Sequence, residues 1–145
     1  MKWENSNDVL TLIVSKEVPL KKSIEELCAK VISGLIPKNE DVNWDHLRVE
    51  IWGDSGRVIV FPASTSEENR IEKSVCQVVF EQLTSEYEEL ADSDVDDDEF
   101  ATRWKAIAEI WADRVIAVAR NTELKGMQFV IMDADDEQPI RESSF

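Results

Sequence analysis

The sequence predicts an α+β fold in a single domain, residues 1–145: a small, mostly antiparallel sheet of about four strands with three helices packed on it. Three observations predict it. A chain of 145 residues is the size of one ordinary domain. Hydrophobic residues at 43% supply a core. The hydrophobic period then switches along the chain in the order strand, helix, hairpin, helix, helix, strand, with no repeat and no long Gly- or Ser-rich linker.

Residues 9–15 alternate, with Leu10, Leu12 and Val14 on one face and Val9, Thr11 and Ile13 on the other, as in a strand. Ser23 and Glu26 form a capping box that opens the first helix. Ile24, Leu27, Cys28, Val31, Ile32 and Leu35 share one side of it, and Pro37 ends it. Residues 46–52 form a strand with Leu47, Val49 and Ile51 on one face and Arg48, Glu50 and Trp52 on the other. Residues 57–61 form the next, ended by Pro62, and the turn residues Gly53, Asp54, Ser55 and Gly56 make the pair a hairpin.

A second capping box, Thr65 and Glu68, opens a helix that runs to about Leu90 along Ile71, Val75, Val78, Val79, Leu83 and Tyr87. An acidic loop covers residues 91–98. The third helix runs from about Glu99 to Asn121, with Phe100, Trp104, Ile107, Trp111, Val115 and Val118 as its apolar stripe. Its two tryptophans read as core. Residues 127–132 form a strand with two apolar faces, as expected inside a sheet, and an acidic tail, 133–145, hangs from its end.

The charge is concentrated. The chain has 31 acids and 16 bases, net −15. Residues 81–99 hold ten acids and no base, and residues 133–142 hold five acids and one base, so these two segments carry −14 of that −15. A nucleic-acid interface or an anionic membrane surface would repel such a chain. No run is apolar enough to span a bilayer, and residues 1–8 lack the apolar stretch of a secretory signal, which points to the cytoplasm.

Acidic runs are often only solvated loops. Two of them in an otherwise balanced chain also suit a cationic protein partner, which would relieve their repulsion. The candidate partner-binding residues are Glu86, Glu88, Glu89, Asp92, Asp94, Asp96, Asp97 and Asp98, with Asp133, Asp135, Asp136 and Glu137 as a second group. Asp97 and Asp98 also suit the start of the third helix through its dipole. Asp92, Asp94 and Asp96 precede that helix and are least explained by capping.

Catalytic and metal chemistry find little support. Neighbours on a strand point to opposite faces, so the single histidine, His46, reads as structural despite Asp45 beside it. Cys28 and Cys76 are too few for a disulfide framework, too far apart for a CxxC site, and read as buried thiols. EF-hand registers from Asp92 or Asp94 place Arg103 or Lys105 where a bidentate Glu is needed. No Gly-rich phosphate loop occurs. The expectation is therefore no enzyme, no cofactor and no metal.

A small, strongly acidic α+β chain of this element order resembles the immunity proteins of bacterial polymorphic-toxin and contact-dependent inhibition systems. The segment Trp44-Asp45-His46-Leu47-Arg48-Val49-Glu50-Ile51-Trp52, followed by Gly53-Asp54-Ser55-Gly56, resembles the hairpin of YezG-like antitoxins. The resemblance implies a toxin inhibitor that occludes the basic active-site surface of a cationic toxin such as a nuclease; it assigns no residue. The alternative is a small regulatory or adaptor domain that binds a protein through an apolar surface. A third reading is a hydrolase using clustered carboxylates and metal.

Overall fold

A computed structural model describes residues 2–6, 9–35, 44–64 and 75–145. The strands are β1 (Lys2–Ser6), β2 (Val9–Val14), β3 (His46–Trp52), β4 (Arg57–Ala63), β5 (Val75–Phe80), β6 (Gln128–Asp133) and β7 (Gln138–Ser144). The helices are α1 (Leu20–Lys30), continued by a π-helical turn over Val31–Leu35, then α2 (Glu81–Ala91) and α3 (Asp97–Ala119). The described residues make an α+β fold with three α-helices. The predicted sheet of about four, mostly antiparallel strands is overturned: among the described residues seven strands join in one mixed sheet, in the order β1-β2-β5-β4-β3-β6-β7. The β2–β5 and β3–β6 pairs are parallel and the other pairs antiparallel.

This pairing makes β2, β5, β3 and β6 run in one direction, so their carboxyl ends lie along one end of the sheet. The β3–β4 turn, the start of α2 and the β6–β7 turn all leave from that end. Phe80 N donates to Gly56 O at 2.7 Å, tying the hairpin turn to the β5–α2 junction.

The three described helices cover one face of the sheet. Leu12, Val14, Leu47, Val49, Ile51, Val58, Val60, Cys76, Val78, Phe80, Phe129 and Ile131 meet Ile24, Leu27, Leu83, Leu90, Trp104, Trp111 and Val115 there. Burial of those side chains is the main stabilising term of the fold. On the other face Ile59 and Phe61 form a smaller cluster with Val9 and Trp52.

The local readings fare unevenly. The β3–β4 hairpin forms as expected, and Leu47, Val49 and Ile51 are buried. Strand β4 continues through Pro62 to Ala63. Pro62 stands opposite Leu47 of β3 there. Helix α1 starts at Leu20, three residues before the expected cap, and Ser23 lies buried inside it with Oγ donating to Pro19 O at 3.3 Å.

The long second helix is wrong over Val75–Phe80, which form β5; the helix occupies only Glu81–Ala91. Thr65, Glu68 and Ile71 of that reading lie outside the described residues. The tail does not hang free. Residues Gln138–Ser144 add β7 to the sheet, Arg141 Nε bonds Asp113 Oδ1 of α3 at 3.1 Å, and Phe145 stacks on Phe129 at 4.3 Å.

Candidate functional site

Asp96 caps α3: its Oδ1 accepts from Glu99 N at 2.8 Å. Asp97, Asp98 and Glu99 fill the first turn, where the helix dipole favours acids. Glu99 also pairs with Arg103 at 2.6 Å. Asp96 was expected to be one of the acids least explained by capping, and it is instead the cap. Asp92 and Asp94 remain exposed and are given no such role.

Glu86 is half-buried between α2 and α3, its Oε2 accepting from Trp111 Nε1 at 2.6 Å. That bond satisfies the polar edge of a tryptophan that is 0% exposed. Glu88 and Glu89, one turn on, are exposed.

The second acidic group sits where β6 ends. Asp133 is 6% exposed. Its Oδ2 accepts from Trp104 Nε1 at 3.1 Å and its Oδ1 from Asp135 N at 3.1 Å. Asp135, Asp136 and Glu137 form the exposed turn into β7, with Glu137 in the left-handed region at φ 51° and Ala134 N held by Ile51 O at 3.1 Å. Partial burial raises the Asp135 pKa, and the charges of Asp133 and Asp54 raise it further. The Tyr87 phenol is raised by burial, then by Asp135, Asp54 and Asp133.

Beside this second group lies a cavity of about 340 Å³ lined by Phe100, Ala101, Thr102, Trp104 and Lys105 of α3 and by Asp133, Asp135 and Asp136. Helix α3 leaves the acidic loop and within its first two turns packs beside the β6–β7 turn. Tyr87 of α2 supports the wall, edge-on to Trp104 at 5.4 Å and to Phe100 at 5.7 Å. Gly53 lies under these rings: a Cβ there would sit 2.5 Å from the Tyr87 ring and 2.6 Å from the Trp104 ring.

Sequence reasoning missed Asp54, and it read Trp104 and Phe100 only as core. The signal for Asp54 is its place at the carboxyl end of β3, which meets β6 once the two strands pair in parallel.

Asp45 and His46 do meet, with Asp45 Oδ1 2.5 Å from His46 Nδ1. The expectation of opposite faces fails because Asp45 precedes the strand and its side chain is free of the strand's alternation. The pair lies at the amino end of β3, away from the cavity. Cys28 and Cys76 are both buried, and burial pushes the Cys28 thiol up to about 11. Cys76 belongs to strand β5, where helical spacing was expected. Among the described residues no group of three or more His, Cys, Asp or Glu is arranged to hold a metal ion, and no helix is long and apolar enough to cross a membrane.

No protein-family model, curated protein or solved structure matches the chain.

Proposed function

We propose that the protein is a non-catalytic acidic binding protein that neutralises a cationic toxin, such as a nuclease, in the manner of an immunity protein. One observation supports the reading: the first acidic segment runs into the opening turn of α3, and the next turns of α3 share one cavity with Asp133, Asp135 and Asp136 of the second. A protein that meets nucleic acid must be basic there. A concentrated acidic surface competes for that site and accelerates encounter through long-range attraction, and needs no catalytic group.

The test is capture of partners from a lysate of the producing cell on the immobilised chain, washed at low and then high salt. The expected result is one dominant basic protein, released by salt, whose enzymatic activity the free chain inhibits. A partner that stays bound at high salt and is indifferent to acid-to-amide substitution overturns this reading. It would favour the adaptor alternative.

A further inference from the structure

Acidic loops steer, but a tight protein interface also needs a buried anchor. The cavity between α3 and the β6–β7 turn has the shape and lining of one. At about 340 Å³ it lies at the small end of the range of ligand sites, large enough for a single long side chain. Its walls are two aromatic rings and the aliphatic surface of α3, and its rim and floor carry three carboxylates against the one ammonium of Lys105.

The carboxylates differ in their state. Asp133 is fixed, with both oxygens holding N–H donors from Trp104 and Asp135. Asp135 carries a penalty as an anion, from partial burial and from Asp133 and Asp54. A cation entering the cavity relieves that penalty, where an anion would add to it.

We propose that this cavity receives an arginine side chain of a protein partner, its methylenes along Phe100 and Trp104 and its guanidinium on the carboxylates of Asp135, Asp136 and Asp133. Guanidinium suits the site better than ammonium. It is weakly hydrated, lies flat on aromatic rings, and spreads five N–H donors over several acceptors, while ammonium is a compact, strongly hydrated charge. The inference rests on the cationic-partner reading above and adds to it where one partner residue inserts and what that residue is.

The probe is Nα-acetyl-arginine methylamide, titrated into the 145-residue chain and followed by the Trp104 indole N–H and the backbone amides of residues 133–136 in NMR spectra. Saturating shifts confined to these groups are expected, at a Kd of about 1–10 mM for a single anchored side chain. The lysine analogue should bind more weakly. Asp135→Asn should weaken the arginine probe about tenfold, the scale of one lost charged hydrogen bond. Ala101→Phe, at an exposed lining position, should abolish the response by filling the cavity while leaving every carboxylate and the fold in place.

Non-saturating shifts spread evenly over all exposed acids overturn the anchor, as does unchanged binding in both variants. An equal response to the lysine analogue overturns the choice of arginine. These failures are distinguishable from failure of the partner reading. Loss of the probe response with salt-sensitive partner binding intact removes the anchor alone. A saturable probe response without any salt-sensitive partner removes the partner reading.

Discussion

The carboxylate of Asp96 and that of Asp94 are two residues apart and do different things. Asp96 Oδ1 satisfies one of the backbone N–H groups left open at the start of α3, while Asp94 is exposed in the loop. Asp96→Ala should therefore cost about 0.5–2 kcal/mol of folding stability, and Asp94→Ala close to nothing, by urea denaturation of the two variants side by side. Equal effects would dissolve the distinction between cap and free acid. Asp135 gives a second test at this scale, with a sign set by its environment. Its raised pKa means that the folded chain binds that proton more tightly than the unfolded chain. Its contribution to stability is then most favourable in acid and is lost as pH rises from the ordinary carboxyl range through the raised value. Asp135→Asn should be slightly more stable than the parent at neutral pH, by under about 0.5 kcal/mol for so exposed a group. The two chains should converge as pH falls below the carboxyl range. A variant less stable at neutral pH would mean that Asp135 makes a favourable contact in the folded chain.

At the scale of the elements, the hairpin turn and the aromatic wall are one unit. Gly53 permits Tyr87 and Trp104 to close over the β3–β4 turn, and the atoms a methyl would meet belong to packed rings and not to the loose end of a flexible chain. Gly53→Ala should destabilise by roughly 1–3 kcal/mol through overpacking and should move the indole N–H of Trp104 in NMR spectra. A neutral substitution with an unmoved indole would mean that the wall adapts more freely than its packing suggests. The same elements show what was legible beforehand. The β3–β4 hairpin was, because alternation and turn chemistry are both local. Strand β5 was not: Val75, Val78 and Val79 fall at helical spacing with Leu83, Tyr87 and Leu90, and the period alone cannot decide between a short buried strand and a helix. Strands β1 and β7 were missed because they are edge strands of mostly polar sequence, Lys2–Ser6 and Gln138–Ser144, paired on one side only. The parallel β3–β6 pairing that brings Asp54 and Asp133 to one end joins residues some eighty positions apart, and no local pattern announces it. The acids of the candidate site were therefore legible as charge, and their convergence on a cavity was not.

The whole molecule carries −15, and most of that excess lies in two short segments. Like charges held this close oppose compaction, and they do so through solvent, where ions screen them within about 10 Å at 0.1 M. Two consequences share that cause and have opposite signs. Added sodium chloride should raise the thermal midpoint of the free chain, because it weakens repulsion inside the acidic segments. The same salt should slow association with a cationic partner, because it weakens the attraction that guides encounter. The triple variant Glu88→Gln, Asp92→Asn, Asp94→Asn removes three exposed acids that hold neither the α3 cap nor the Trp111 indole. It should fold at least as stably as the parent, with a smaller rise of midpoint on adding salt. Its on-rate for the partner should be lower and less salt-dependent, while its off-rate is nearly unchanged if these acids act by steering. A rise in off-rate with the on-rate preserved would instead make them direct contacts in the complex. A variant that matches the parent in both rates at low salt would leave these acids with no part in binding and would favour the adaptor alternative.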